Sequence, residues 1–148
     1  MLSIHVAGFS DWLREAEALI GASVPPEEVV WIHDRAAEPS LFSCAALTPV
    51  ETRTMQALTP SLRENFRLAC AYLDLERWAL PYRALWRWHY GESCAVLAGD
   101  PDGSALLRRA RAVARAAHLM KGFIRFRERP SVEGNPRFVA SYTPEHDV

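Results

Sequence analysis

The densest run of groups able to hold an anion is His118 to Glu128, HLMKGFIRFRE, with Lys121, Arg125 and Arg127 followed by Arg129. Lys121 is the only lysine among the 17 lysines and arginines of the 148-residue chain. The segment before it, SALLRRARAVARAAHLM, places Arg108, Arg111 and Arg115 at steps of three and four, with Arg109 beside them. On a helix such steps make one basic stripe, and His118 continues it toward Lys121. A guanidinium is planar and permanently charged, and it meets phosphate with two parallel donors. Read with period two, Phe123, Arg125 and Arg127 share one face of a strand, opposite Ile124, Phe126 and Glu128. A face with one ring and two guanidinium groups suits stacking on a base and pairing with phosphate. An edge strand whose arginines keep other sheets away has the same pattern.

A second group of residues offers proton chemistry. His118 and His146 flank the expected C-terminal hairpin, so folding could bring them near Lys121, Asp147 and Glu128. Such a set could move a proton or hold a phosphate, although no spacing rule ties it to a reaction. The plainer reading of His118 is a cation at a helix C-terminus. His33 and Asp34 end a strand, a common place for ligands in open α/β sheets and equally an ordinary polar loop. Arg83 and Arg87, one turn apart, read either as a phosphate clamp or as a flank lying over aromatic rings. Other chemistry lacks its motif. There is no G-x-S-x-G elbow, no G-x-x-x-x-G-K-[ST] and no G-x-G-x-x-G. Cys44, Cys70 and Cys94 are scattered and form no C-x-x-C pair, so buried free thiols in a reducing compartment are expected. The surroundings of Cys94, SCAVL, read as buried. No metal site and no cofactor is expected.

Several motifs carry a resemblance. They are His118-x-Met120-Lys121-Gly122-Phe123-Ile124-Arg125-Phe126-Arg127-Glu128, then Phe138-Val139-Ala140 and Pro144-Glu145-His146-Asp147. This set resembles a bacterial family of DNA-metabolism domains known mainly as a domain of unknown function. Members stand alone, lie near a radical-SAM partner, or are fused ahead of a uracil-DNA-glycosylase-like (UdgX-type) domain. Val24-Pro25-Pro26-Glu27-Glu28-Val29-Val30-Trp31, Leu41-Phe42 and Tyr82-Arg83-Ala84-Leu85-Trp86-Arg87 are similar to the fused branch. The family often has a basic residue directly after the histidine. Here Leu119 stands there, which leaves Lys121 as the only ammonium. The resemblance implies a part in DNA repair, with DNA, single-stranded or damaged, and a glycosylase-like or radical-SAM protein as partners. Glycosylase motifs themselves are absent from the sequence. Members of the family continue with a further helical segment, so a shortened or unfused single domain over 1–148 is expected.

Composition places the chain among ordinary globular proteins, with 49% apolar and 24% charged residues. No run of eighteen apolar residues and no secretory leader is visible, so a cytoplasmic protein with no membrane association is expected. The net charge of −1 conceals an asymmetry. Residues 1–74 carry five basic and ten acidic groups, and residues 75–148 carry twelve and eight, so the halves differ as −5 against +4. An anionic partner would meet the second half.

The elements that must position these groups follow from periodicity. Leu2–Gly8 reads as a strand, and a helix capped by Ser10 or Asp11 runs to Gly21. Glu27–His33 reads as a second strand parallel to the first. Asp34–Pro49 reads as a loop with Leu41 and Phe42 tucked inward, and Thr48 or Thr59 can cap the next helix. From Pro60 to about Leu73, Leu62, Phe66, Ala69, Cys70 and Leu73 share a face. A helix over Asp74–Tyr90, kinked or divided at Pro81, carries the stripe Trp78, Tyr82, Leu85, Trp86 and His89, which reads as core. Ser104 or Asp102 can cap the last helix, whose apolar side is Leu106, Leu107, Ala110, Val113, Ala114 and Ala117. Glu133–Pro136 turns the chain back into Arg137–Thr143. The expected fold is α+β: a small mixed four-strand sheet, with a β-α-β opening and a C-terminal β-hairpin, packed against several helices.

Three functions fit, in this order. The first is a nucleic-acid-binding module using Arg108, Arg111, Arg115, Lys121, Phe123, Arg125 and Arg127. The second is a protein-interaction domain for a glycosylase or radical-SAM partner, which requires an exposed apolar patch. The third is an enzyme acting on a nucleotide or nucleic acid through His118, Lys121 and His146, which requires them to converge in a cleft.

Overall fold

The computed structural model describes residues 1–33, 57–129, 137–141, 143 and 145–147, with Phe123, Glu128, Arg129 and Arg137 described in their backbone alone. The expected Asp34–Pro49 loop with Leu41 and Phe42, the Thr48 cap, Cys44 and the Glu133–Pro136 turn lie outside the described residues.

Strand β1 (Leu2–Val6) and strand β2 (Val29–His33) pair in parallel, with Leu2 opposite Val29 and Val6 opposite His33. Parallel neighbours need a crossover, and helix α1 (Phe9–Gly21) supplies it. Alternation along β1 buries Ile4 and Val6. The cap of α1 is Gly8, not Ser10 or Asp11: the Gly8 carbonyl accepts from Trp12 N–H at 3.0 Å, and no side chain caps. Termination also differs from expectation. Gly21 belongs to the last turn, and Ser23 takes the left-handed conformation at φ 55°. Val24 N–H bonds the Leu19 carbonyl at 2.9 Å and Ser23 N–H the Ile20 carbonyl at 3.0 Å. That reciprocal pair is a Schellman ending. A single 3-10 turn, Pro26–Glu28, precedes β2 where strand was expected.

Helix α2 (Pro60–Ala71) begins as expected, with the Thr59 hydroxyl accepting from Leu62 N–H at 3.3 Å and proline in the next position. Phe66, Ala69 and Cys70 are buried, whereas Leu73 lies beyond the helix and is 46% exposed. Helix α3 (Ala79–His89) is shorter than the stripe suggested. Pro81 does not kink it. It lies in the first turn, where an intrahelical donor is missing anyway. α3 repeats the ending of α1 with glycine in place of serine. Gly91 has φ 102°, and Glu92 N–H reaches the Arg87 carbonyl at 2.9 Å.

Helix α4 (Pro101–Phe123) is the longest, and Asp100 rather than Ser104 or Asp102 caps it. The Asp100 carboxylate accepts from Asp102 N–H at 2.9 Å and Gly103 N–H at 3.4 Å. Leu106, Ala110 and Val113 of α4 are buried, but Ala114 faces solvent. Strands β3 (Arg127–Arg129) and β4 (Arg137–Val139) form an antiparallel pair with Arg127 opposite Val139.

The fold is thus mixed helix and strand, as expected. The single four-strand sheet is corrected: among the described residues the strands form two separate two-stranded pairs. The core lies where α1, β1 and β2 meet α2, α3 and α4. Trp12 is fully buried at its centre, its ring 6.0 Å from Phe66 and 6.2 Å from Trp31. Its indole N–H donates to the Trp78 carbonyl at 3.2 Å. The aromatic stripe ending in α3 is core in its first part, as its period implied, and half-buried at Trp86 and His89. Trp78, Tyr82 and Leu85 are buried, with Tyr82 edge-on to Trp31 at 5.3 Å. Among the described residues, no helix is long and apolar enough to cross a membrane.

Candidate anion-binding groove on α4

The arginines of the second half divide into two sets. The first is neutralised from within. Arg87 bonds Asp102 through Nη1 at 2.8 Å, Asp100 through Nη2 at 2.8 Å and Glu92 through Nε at 2.9 Å. Arg83 Nε reaches Asp102 at 2.9 Å. The clamp reading of this pair is therefore corrected: these guanidinium groups lock the end of α3 to the start of α4. The Arg87 hydrogen bond holds the Asp100 carboxyl below the usual carboxylate range. Burial pushes Asp102 up, but its hydrogen bonds from Arg83 and Arg87 outweigh that and leave it lowered.

Arg77 and Arg109 are buried and belong to the same set. Arg109 pairs with Asp74, donates to the Glu76 carbonyl at 3.0 Å and lies 5.5 Å over the Tyr72 ring. Arg109, which the sequence placed beside the basic stripe, thus turns into the core and away from it. Arg77 pairs with Asp147, donates to the Cys70 carbonyl at 2.6 Å and stacks 4.6 Å from the Trp78 ring. The same Asp147 donates its backbone N–H to the Ala71 carbonyl at 3.0 Å. These contacts tether the C-terminal motif to the α2–α3 junction. Beside the tether, His146 lies 4.3 Å from Tyr72 at 33°.

The second set is exposed: Arg108, Arg111, Arg115, Lys121, Arg125 and Arg127. None of them makes an ion pair among the described residues. Arg108, Arg111 and Arg115 line one groove of about 360 Å³ together with Ala112, Ala116 and Leu119 of α4. The tethered Glu145 and His146 form its other wall. The helix period brings the three arginines together, and the Arg77–Asp147 pair sets the opposite wall against them. Nδ1 of His146 is shielded from solvent and has no hydrogen-bond partner among the described residues.

The remaining candidates lie elsewhere. His118 and Lys121 are exposed and do not line the groove that His146 lines. Phe123 ends α4 and does not begin a strand, because the helix continues until Ile124 N–H bonds the Met120 carbonyl at 3.0 Å. The proposed Phe123/Arg125/Arg127 strand face is corrected accordingly. Arg125 lies in the connection, Arg127 opens β3, and the Phe123 ring is outside the described residues. His33 is exposed with its ring 5.9 Å from Trp78, and Asp34 lies outside the described residues. Cys70 is buried, and burial pushes its thiol well up, whereas Cys94 is exposed, contrary to the reading of its neighbours. Among the described residues no cluster of ligating side chains could hold a metal.

Sequence reasoning found the stripe but missed the opposite wall. Its signal was the acidic Asp147 beside His146, 70 residues from Arg77. It also missed Phe126 and Phe138, which stand 67% and 60% exposed at the hairpin.

The molecule is therefore a mixed helix–strand domain whose long last helix closes the core on one side and on the other presents guanidinium groups with no ion pair among the described residues. The model of a family described as a domain of unknown function, DUF4130, matches residues 75–148, and the chain belongs to that family. The match spans α3, α4, the hairpin and the tethered motif, and begins after the β-α-β opening. No curated protein and no solved structure matches the chain.

Proposed function

We propose that this chain is a DNA-metabolism domain associated with DNA repair, which binds nucleic acid along α4 as an accessory to a uracil-DNA-glycosylase-like partner. One observation carries the binding. Arg83, Arg87, Arg77 and Arg109 have internal carboxylate partners, while Arg108, Arg111 and Arg115 share an open groove with Glu145 and make no ion pair among the described residues. Unpaired cations on one helix face repel each other, so the arrangement favours a polyanion as its counterpart. Lys121, Arg125 and Arg127 extend the basic track toward the hairpin, and Phe123, which ends α4, is proposed as the ring that stacks on an exposed base. The link to DNA and to glycosylase fusions rests on the sequence resemblance.

The test is a titration of the full chain at several salt concentrations against single-stranded, double-stranded and uracil-containing DNA. The Arg108→Gln/Arg111→Gln/Arg115→Gln variant is expected to lose at least about tenfold in affinity. Its salt slope for single strands should fall by about 2, since each phosphate contact contributes roughly 0.7. Unchanged isotherms in a folded variant would remove the reading.

A second reading, docking of a glycosylase-like or radical-SAM protein, is favoured by Phe126 and Phe138. Phe126 immediately precedes β3 and Phe138 lies in β4, and both side chains are largely exposed. Loss of partner capture in a Phe126→Ser/Phe138→Ser variant, with DNA affinity intact, would select this reading.

A further inference from the structure

We infer that the groove between α4 and the tethered C-terminal motif is a phosphomonoester site sized for one nucleotide. The ligand is either a free mononucleotide or the phosphorylated end of a strand. The inference deepens the nucleic-acid reading of the same helix and rests on it where the ligand is a strand end. Three features argue for it.

The volume, about 360 Å³, is at the lower end for small-ligand pockets. A duplex could only lie across it, whereas a single phosphate with its sugar fits within it. The donors converge from two directions. Arg108, Arg111 and Arg115 come from α4, and His146 comes from the opposite wall. His146 is held in place beforehand by the Tyr72 ring and by the neighbouring Asp147 tether.

Charge distinguishes an end from a continuous backbone. A phosphomonoester carries about −1.5 to −2 near neutrality, more than an internal diester, and offers three terminal oxygens to several donors. Glu145 stands in the same groove as a carboxylate. It repels a second phosphate and can accept from a sugar hydroxyl or a base N–H. The site therefore favours one phosphate attached to a nucleoside over inorganic phosphate or a polyphosphate.

The experiment uses the full chain and one oligonucleotide sequence with a 5′-phosphate, a 3′-phosphate or hydroxyl ends, labelled internally. AMP and inorganic phosphate serve as competitors. One phosphorylated end is expected to bind roughly tenfold tighter than the hydroxyl strand, the scale of one added charge-assisted contact. AMP should compete more strongly than phosphate. Arg111→Gln, at an exposed position, and His146→Asn should each erase the end preference, while Glu145→Gln should tighten inorganic phosphate. Equal binding of all three strands, with no competition by AMP, overturns the inference and leaves backbone binding on α4 standing. Binding of AMP without affinity for any strand supports the site and overturns the nucleic-acid reading. Absence of both kinds of binding overturns both.

Discussion

Tyr82 shows how one side chain joins distant parts of this molecule. Its ring is buried beside Trp31, and its hydroxyl donates to the Val24 carbonyl at 2.6 Å, just past the Schellman ending of α1. Burial pushes the phenol well above its ordinary range, so it remains a donor at any physiological pH. Tyr82→Phe keeps the packing and leaves that carbonyl without its partner. The expected cost is about 1–2 kcal/mol, read as a lower midpoint in denaturant with an unchanged slope. An unaltered midpoint would mean that water satisfies Val24 instead. At this scale the sequence was informative about faces and silent about partners. Trp78, Tyr82 and Leu85 recur at helical spacing, and that spacing arises from burial. Nothing in the neighbourhood of Arg83 and Arg87 says whether a guanidinium meets solvent or an aspartate thirteen to nineteen positions on. Arg109 and Arg108 are adjacent in sequence, yet one is buried in an ion pair and the other lines the groove. A turn of about 100° per residue separates their fates.

The first turn of α4 is the element on which the groove depends. Asp100 caps it, Pro101 fixes its opening dihedral, and Gly103 brings its backbone against Leu97. A Cβ on Gly103 would fall 2.6 Å from the Leu97 nitrogen and closer still to the Leu97 carbonyl. Both are main-chain atoms that cannot swing aside. Gly103→Ala should therefore destabilise by about 2 kcal/mol or more despite the better helix propensity of alanine. Thermal unfolding checks this, and a stabilised variant would disprove the close approach. Element boundaries were the least legible part of the sequence. Ser10, Asp11, Asp102 and Ser104 are all competent caps, but the caps used are the Gly8 and Asp100 positions. Residues that can cap outnumber helix starts, and tertiary packing selects among them. The passage from α4 to β3 was misplaced for a related reason. In a run as short as Phe123–Glu128, alternation of apolar and basic residues is compatible with both a helix end and a strand.

For the whole molecule, acid stability follows from the Arg83/Arg87/Asp100/Asp102 network. Both aspartates titrate lower in the folded chain than when unfolded, so the unfolded state takes up protons first as pH falls. Their contribution is present in full above the unfolded carboxylate value, about 4, and is lost as pH drops through the lowered folded values. Arg87→Gln removes the main cause at Asp100. The fall in Tm between pH 7 and pH 3 is then expected to be smaller in the variant than in the parent, although the variant starts lower. A parallel displacement of the two curves would contradict the network. At this scale the charge asymmetry between halves was readable from the sequence, and its meaning was only half readable. The surplus of the second half includes cations that hold the helices together. The fold class was legible from the β-α-β opening and the helical periods. Separation of the strands into two pairs was not, because pairing partners are chosen by helix packing between distant segments.

The row of Arg108, Arg111 and Arg115 contributes no internal salt bridge among the described residues, and like charges one turn apart oppose helix formation slightly. The chain would fold at least as well with uncharged residues there. A surface that carries such a self-opposed row in its free form holds a small reserve of stability, released when a counter-charge settles on it or when the arginines drift to neutral residues. Retaining them is thus a compromise between ease of folding and readiness for an anion, and an increase in Tm on neutralising the row would measure its size.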